Sequence, residues 1–444
     1  MFSETARQLV HMSMGAFALL LRVLTWQQAA LCALAALLFN AVVLPRTGGR
    51  TIIRPADASR GYPLGILIYP VSVLLLVLAF PARLDIAAAA WGVLAIGDGA
   101  ATLVGRRWGR HRLGWNPDKS VEGLLAFVVA GSAGAVFLAW WTAPAITPPP
   151  SMAFVVAAPL LAAVAAGLVE TVPVALDDNI SVPATAGAVL WLCSLVTAGA
   201  WTGNLEAVTA NLVPALAVNT VAATCGWLAR TVRLSGMLAG WAIGAVVYAS
   251  LGPQGWGLLF LTFLAATITS RLGLKKKALL GIAEERGGRR GAGNAIANTG
   301  LAAVAAAAAV ATPFREAALV AFVAALATGG ADTVASEIGK AWGGRTYLPT
   351  TLSAVRPGTP GAVSLEGSAA GILGALVLAG CGALLGLVPA WTVWAVVAGA
   401  IAGSVIESAL AATLEASRTV NNDLLNFANT ATGAIVAIAI VRMS

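Results

Sequence analysis

The sequence predicts an all-α fold, a polytopic bundle of about fifteen transmembrane helices built from two parallel repeats. Three observations predict it. Few residues are charged, apolar runs long enough to cross a bilayer recur along the chain, and one acidic motif occurs twice in the same apolar context. Together they indicate a membrane protein whose polar chemistry is duplicated.

The composition excludes an ordinary soluble domain. Of the 444 residues, 59% are hydrophobic and 10% are charged, and the mean hydropathy is +0.86. A soluble domain carries about 25% charged residues. A helix needs roughly 20 apolar residues to cross the hydrocarbon core, and β-barrel strands would be shorter and would alternate polar with apolar residues. Helical spans are therefore predicted, with clear examples at 26–45, 62–80, 121–142, 152–174, 183–201, 363–387 and 424–441.

The basic residues indicate the orientation of the chain. If the N-terminus is cytosolic, every second connection faces the cytosol. All 27 Lys and Arg residues then lie on that side except Arg22, Arg83, Arg315 and Arg442. This is the positive-inside bias of membrane proteins. We expect a multi-pass protein of the cell membrane with its N-terminus and motif loops in the cytosol. The formal charge of +8 then reflects topology, and we expect no nucleic acid partner.

Several familiar chemistries are poorly supported by the residues present. The four cysteines stand singly in apolar segments, and there are two histidines, so histidine-ligated zinc and Ser-His-Asp catalysis are poor candidates. A GxxxxGK[ST] phosphate loop is absent from the sequence. The N-terminus also lacks the pattern of a removable signal peptide, so we expect none.

An acidic motif occurs once in each half. Gly97-Asp98-Gly99 and Gly330-Ala331-Asp332 are each followed by a glycine seven residues after the aspartate and by Trp-Gly after ten and eleven. Matching segments follow in the same order in both halves: Ser120–Gly123 and Ser364–Gly367, Glu170 and Glu407, and Asp177–Asn179 and Asn421–Asp423. An even number of spans between the copies predicts parallel repeats with both motif loops on one side. We place the modules at 1–205 and 206–444.

The motif residues suggest phosphate chemistry. A carboxylate in or beside the hydrocarbon is costly unless paired, so each is a functional candidate. Carboxylate and amide oxygens are the ligands that Mg²⁺ takes together with substrate phosphates, and Lys and Arg neutralise phosphate charge. These are the components of phosphoryl or nucleotidyl transfer.

Candidate residues follow from this pattern. The predicted catalytic residues are Asp98, Lys119, Glu122, Glu170, Asp178, Asn179, Asp332, Glu337, Glu366, Glu407, Asn422 and Asp423, with Asp98, Asp178, Asp332 and Asp423 as metal ligands. The predicted nucleotide- or phosphate-binding residues are Gly105, Arg106, Arg107, Gly109, Arg271, Lys277, Arg289, Arg290, Asn294, Asn298 and Lys340. Structural alternatives stay open: the glycines can serve helix packing, Glu170 and Glu407 can hydrogen-bond a neighbouring helix, and the lysine run 275–277 can anchor a helix in anionic headgroups.

The first half resembles the dolichol kinase/phytol kinase family over residues 1–200. The resemblance lies in Arg7–His11 with Gly15, Gly97–Gly109, Asn116–Gly123 and Asp177–Pro183. It departs at Gln8, where the family pattern has lysine. From residue 210 onward the chain resembles the phytyl-phosphate kinase family of membrane proteins. That second resemblance lies in Ser235-Gly236, Gly252–Trp256, Thr269–Lys277, Gly281–Arg290, Asn294, Ala297-Asn298, Asp332, Ser336–Gly339 and Asn421–Asp423.

The resemblance implies a bifunctional kinase of membrane isoprenoids. It would phosphorylate a prenyl alcohol of the phytol, farnesol or geranylgeraniol class to the monophosphate and then to the diphosphate, with CTP as phosphoryl donor and Mg²⁺. Two alternatives remain at this stage. The segment from Asp98 to Gly123 also resembles the phosphatidate cytidylyltransferases, although their later His-Gly-Gly and Asp-Arg-x-Asp stretch is missing here. A transporter built from repeats with charged residues at the midplane is the alternative of another class.

Overall fold

The computed structural model describes residues 3–44, 46, 64–279, 281, 289–415 and 420–444. These residues are mainly helical, with two small antiparallel sheets in the loops, and they form two compact units, Met1–Leu195 and Val196–Ser444. The predicted all-α membrane bundle is confirmed. Most of the predicted cytosolic loop 46–60 and residues 282–288 of the basic stretch lie outside the described residues.

Unit 1 contains eight described α-helices and one hairpin. They are α1 (Glu4–Met14), α2 (Trp26–Leu38), α3 (Leu64–Ala79), α4 (Leu84–Gly92), α5 (Gly99–Trp108), β1 (Arg112–Leu113), β2 (Asn116–Ser120), α6 (Val121–Thr142), α7 (Met152–Glu170) and α8 (Asp178–Ser194). A π-helical segment, Val93–Asp98, joins α4 to α5. Such a bulge leaves the regular hydrogen-bond ladder and often marks a functional position. It places Asp98 inside the unit rather than in a loop.

Unit 2 has nine described α-helices and a three-stranded sheet in the order β4-β3-β5. They are α9 (Ala198–Leu228), α10 (Leu234–Arg271), α11 (Leu274–Leu279), α12 (Ala292–Ala295), α13 (Leu301–Ala311), α14 (Arg315–Trp342), β3 (Thr346–Tyr347), β4 (Ala354–Val355), β5 (Val363–Ser364), α15 (Leu365–Leu384), α16 (Val393–Leu410) and α17 (Asn422–Met443). Gly252 breaks α10, because its φ of +63° and ψ of −159° lie outside the helical region.

Eleven described helical segments are long and apolar enough to cross a membrane, and Leu64–Ala79 is a shorter apolar helix. Most predicted spans agree with helices found, for example 152–174 with α7 and 424–441 with α17. The predicted span 183–201 is wrong as a single helix, because α8 ends at Ser194 and α9 begins at Ala198. The break within α10 shows that one long helix can hold two spans, so the total of about fifteen stays a prediction.

Each unit is built around one helix that has a fully buried stretch. Residues 86–90 of α4 and 322–327 of α14 are completely or almost completely inaccessible to solvent, and most of them are alanine. Small side chains allow helix backbones to approach closely in a membrane, where van der Waals contact contributes much of the packing energy. At Gly399 of α16 a β-carbon would lie 2.4 Å from the carbonyl oxygen of Gly433 in α17. The helix packing thus leaves no room for a side chain there.

We predict that Gly399→Leu destabilises unit 2 by about 1–3 kcal/mol, the usual cost of overpacking a close contact. Thermal unfolding of the detergent-purified protein measures the effect. Gly380→Leu is the matched control, because a β-carbon on Gly380 of α15 meets nothing within 4 Å. Equal unfolding temperatures for the two variants would contradict the packing described here.

Candidate functional site

Three carboxylates converge in unit 1. Asp98 ends the π-helical segment, Glu170 is the last residue of α7, and Asp178 is the first residue of α8. One oxygen from each lies within 4.8 Å of the others. Hard carboxylate oxygens gathered in this way are the kind of ligand that Mg²⁺ takes. These three residues are therefore the candidate ligands for a divalent cation in unit 1.

Lys119 reaches this cluster from the β1–β2 hairpin. Its Nζ bonds to Glu170 and lies 3.6 Å from Oδ2 of Asp178. Burial would lower the pKa of Lys119, but Asp178 and Glu170 outweigh burial, so the pKa lies above its ordinary value. The side chain therefore stays charged over the physiological pH range. One ammonium group faces three carboxyl groups, and this imbalance favours a bound cation when all three are ionised.

His11 is a neighbour of the cluster that the chemical argument from sequence missed. Its Nε2 lies 3.1 Å from the carbonyl oxygen of Leu94 and 3.5 Å from Oδ2 of Asp98. The imidazole packs edge-on against Tyr69, whose hydroxyl accepts a hydrogen bond from Trp91. The one available signal was its place in the resemblance at Arg7–His11. The geometry indicates that His11 helps to position Asp98.

Gln8 occupies the position where the resemblance predicts lysine. It is 1% exposed, and its Oε1 has no hydrogen-bond partner within the described part of the chain. Its Nε2 donates to Glu4. A buried amide in place of a lysine removes one positive charge from this region of unit 1.

Glu122 and Glu366 close loops and do not join the other carboxylates of their units. Oε1 of Glu122 lies 2.6 Å from Nδ1 of His111, and Oε1 of Glu366 accepts a hydrogen bond from the backbone N–H of Gly344. In both units the preceding serine caps the helix, with Ser120 accepting from Gly123 and Ser364 from Gly367. The predicted catalytic role of these two glutamates therefore has no geometric support.

The predicted phosphate-binding glycines of unit 1, Gly105 and Gly109, and the corresponding Gly343 of unit 2 lie close to the serine that caps the next helix. A β-carbon at Gly109 would lie 2.6 Å from Oγ of Ser120, and one at Gly343 would lie 2.8 Å from Oγ of Ser364. Gly105 likewise packs near Ser120. The Arg106 side chain is 65% exposed, with Nη1 3.9 Å from Glu4, and Arg107 lies over the Trp108 ring. The structural alternative thus fits these glycines better than phosphate contact.

In unit 2, Asp332 and Glu407 form the corresponding acidic pair. Both line a cavity of about 530 Å³ that also includes Lys340 and Asn422. Asn429 donates to Oε2 of Glu407 at 2.7 Å. Asn422 begins α17 as Asp178 begins α8. An amide therefore stands where unit 1 has its third carboxylate, and within the described residues unit 1 holds the one three-carboxylate group.

A buried ion pair supports the wall of this cavity. Lys277 is 1% exposed, and its Nζ bonds to Glu337 and to the carbonyl oxygen of Ser270. The other oxygen of Glu337 lies 3.6 Å from Nζ of Lys340. Removing one partner of a buried pair leaves an uncompensated charge, which costs about 3–5 kcal/mol. Lys277 and Glu337 thus hold Lys340 in place, and Lys340 is the lysine of this group that lines the cavity.

The remaining predicted residues lie apart from these carboxylate groups. Asn179 donates to Asp177 within the first turn of α8, and Asp423 packs against Gly293. Arg271 and Arg289 are exposed. Arg290, Asn294 and Asn298 line a different cavity in unit 2. The predicted metal ligands Asp332 and Asp423 are therefore not brought together in one three-carboxylate group.

Comparison with known proteins agrees with a membrane family. Residues 217–434 match the family described as integral membrane protein DUF92. An uncharacterized membrane protein of Synechocystis, sll0875, is 37% identical over 45% of this chain and 79% of its own length. No solved structure matches the chain significantly.

Two plant proteins are also similar. Protein VTE6, chloroplastic, of Arabidopsis thaliana is 36% identical over 46% of this chain and 63% of its own length. Probable phytol kinase 2, chloroplastic, of Oryza sativa subsp. japonica is 37% identical over 21% of this chain and 31% of its own length. The match thus covers less than two thirds of either plant protein. The extent of the cyanobacterial match shows that the chain belongs to the integral membrane protein DUF92 family.

Proposed function

We propose that this protein is a membrane kinase that transfers phosphoryl groups to an isoprenoid alcohol and to its monophosphate. The observation that carries the proposal is the cluster of Asp98, Glu170 and Asp178 with Lys119, which brings three hard-oxygen ligands and one cation together. The plant relative named as a probable phytol kinase supports the substrate class. CTP as donor and Mg²⁺ as cofactor follow from the family resemblance.

The proposed reaction forms one P–O bond and breaks another. The hydroxyl oxygen of the prenyl alcohol attacks the terminal phosphorus of the nucleoside triphosphate, the bond to the β-phosphate oxygen breaks, and the nucleoside diphosphate leaves. The hydroxyl proton passes to a nearby carboxylate or to water. A magnesium ion, when bound, would neutralise phosphate charge. The task of the protein is then mainly positioning and electrostatic stabilisation.

The side chains of unit 1 fit distinct parts of this task. Asp98 and Asp178 would hold the metal, while Lys119 offers its ammonium to phosphate oxygens and keeps Glu170 in place. His11, whose Nε2 lies 3.5 Å from Oδ2 of Asp98, helps to orient that carboxylate. Since Glu170 and Asp178 lie at helix ends and Lys119 lies in a hairpin, a lipid hydroxyl at the membrane surface can reach the cluster while its chain remains in the bilayer.

Unit 2 supports a second phosphorylation step under different electrostatics. The Asp332–Glu407 pair and Asn422 carry less negative charge than the three carboxylates of unit 1. A monophosphate acceptor is itself an anion, and a less acidic cavity with Lys340 repels it less. We therefore assign the alcohol step to module 1–205 and the monophosphate step to module 206–444.

Asp98→Asn should abolish phosphorylation of the alcohol and leave conversion of monophosphate to diphosphate intact, whereas Asp332→Asn should do the reverse and accumulate monophosphate. Removal of one preorganised electrostatic group lowers the rate by about 10²–10³. Purified protein with labelled nucleotide and farnesol or farnesyl monophosphate provides the measurement. Asp118→Asn, on the exposed face of the hairpin, is the matched control and should retain both activities.

The two mutants also distinguish other arrangements. If both lose both steps equally, the halves share one composite site and the division of labour is wrong. If the wild-type protein forms no phosphorylated lipid from any nucleotide, the kinase proposal itself fails. Release of pyrophosphate with a cytidylylated product would support the cytidylyltransferase alternative instead.

Orientation of the membrane spans is a separate proposal with its own test. Because the basic residues favour one side, single cysteines at Arg110 and Lys276 in a cysteine-free variant should resist an impermeant thiol reagent in intact cells. Both positions are exposed, so both should react after lysis. Labelling of either cysteine from outside intact cells would contradict the parallel arrangement of the two motif loops.

A further inference from the structure

Unit 2 has a second cavity, whose lining is polar on one side and apolar on the other. None of the acidic residues described above lines it. Its volume is about 150 Å³. Arg290, Asn294 and Asn298 line its polar side, and Ile243, Phe263 and the stacked rings of Trp256 and Phe260, 5.0 Å apart, line its apolar side. Such a combination fits a molecule with one polar head and an apolar chain.

The polar side chains of this cavity are held in place by hydrogen bonds within the protein. The guanidinium of Arg290 donates to the carbonyl oxygen of Ala266 at 3.2 Å and to Oγ of Ser270 at 3.1 Å. Asn298 is 9% exposed, and its Oδ1 has no hydrogen-bond partner within the described residues. A buried amide oxygen without a partner is costly. The P–OH of a singly protonated phosphate, or a bridging water, would donate to it.

The two cavities of unit 2 flank the same helix. Gly329, Gly330 and Thr333 of α14 line the amphipathic cavity, whereas Asp332 and Ser336 line the carboxylate cavity. The start of α17 lies near both linings: Asn422 lines the carboxylate cavity, and Oδ2 of Asp423 would lie 2.1 Å from a β-carbon on Gly293, next to Asn294. A head group bound near Asn294 would thus lie near the first turn of α17.

We propose that this amphipathic cavity binds the acceptor of unit 2, a single-chain isoprenoid monophosphate, with its phosphate at Arg290 and the first isoprene units along Trp256 and Phe260. The assignment rests on the proposed kinase function. Arginine is well suited to phosphate oxygens because its N–H donors can bind two of them at once. The rest of the chain would extend into the bilayer.

A nucleotide fits this cavity less well. Arg290 is the one charged side chain among the described residues that line it. A nucleoside triphosphate carries about four negative charges, which are normally met by several cations or by a metal. Its sugar hydroxyls would also face an apolar wall and lose hydrogen bonds to water. The carboxylate cavity, which is larger at about 530 Å³ and contains Lys340, is the better place for the nucleotide.

Direct binding tests the assignment without catalysis. The full-length protein in nanodiscs, without nucleotide or metal, is titrated with labelled farnesyl monophosphate, and farnesol, dodecyl phosphate and inorganic phosphate serve as competitors. We expect Arg290→Gln to weaken binding about tenfold or more, as for loss of a hydrogen bond to a charged group. Arg233→Gln is the control, because this exposed arginine is close in sequence to the cavity wall but does not line it.

A second pair of variants tests the apolar side. A β-carbon at Gly240 meets nothing within 4 Å, and Gly240 lines the cavity. Gly240→Leu should therefore fold normally and block the chain, weakening binding about tenfold or more, an overpacking effect. Gly257→Leu lies in the same helix, also in open space but away from the cavity. It should bind as the wild type does.

Three outcomes would overturn the assignment. Equal affinities of the Gly240→Leu and Gly257→Leu proteins would exclude the cavity as the chain site. Equal competition by dodecyl phosphate would exclude selectivity for isoprenoids. Competitive displacement of the lipid by cytidine triphosphate would identify a nucleotide site instead. A protein that binds farnesyl monophosphate as expected yet transfers no phosphoryl group would contradict the kinase proposal alone, so the two failures are distinguishable.

Discussion

The ion pair between Lys119 and the carboxylates of Glu170 and Asp178 is the interaction on which the rest of unit 1 depends. Carboxyl groups at the end of an apolar bundle are costly unless an opposite charge compensates them. A single lysine reduces this cost and leaves an acidic excess that a divalent cation can remove. The hairpin that carries Lys119, the bulge that carries Asp98 and the termini of α7 and α8 are all arranged around this balance.

The two units have the same local structural features beside their acidic residues, but the charged side chains there differ. A serine cap, a loop-closing glutamate and two packed glycines recur in each. The two units differ in how the acidic charge is balanced. In unit 1, Lys119 pairs with Glu170 and lies near Asp178. In unit 2, Asn422 stands at the position of Asp178, and the lysines are Lys340 and the buried Lys277, both near Glu337. The two units thus share these local features and differ in their electrostatics.

The sequence predicts the membrane class and most helix positions, because hydropathy and helix length depend on local composition. It also identifies Asp98, Glu170 and Asp178, since isolated carboxylates in apolar segments are conspicuous. It does not show that Glu122 bonds to His111, that Gly109 packs on Ser120, or that His11 lies beside Asp98. Those contacts depend on how distant helices approach each other, and sequence spacing alone carries no information about that.

The central claim, that Asp98 and Asp178 of this carboxylate cluster hold a divalent cation, is tested most directly by Mn²⁺ binding followed by electron paramagnetic resonance without nucleotide. The account predicts a site in the wild-type protein whose affinity falls about tenfold or more in Asp178→Asn, as for loss of a bond to a charged group. Asn422→Asp should create a second site by completing the carboxylate set of unit 2. Unchanged Mn²⁺ binding in Asp178→Asn, or no binding by the wild type, would contradict it.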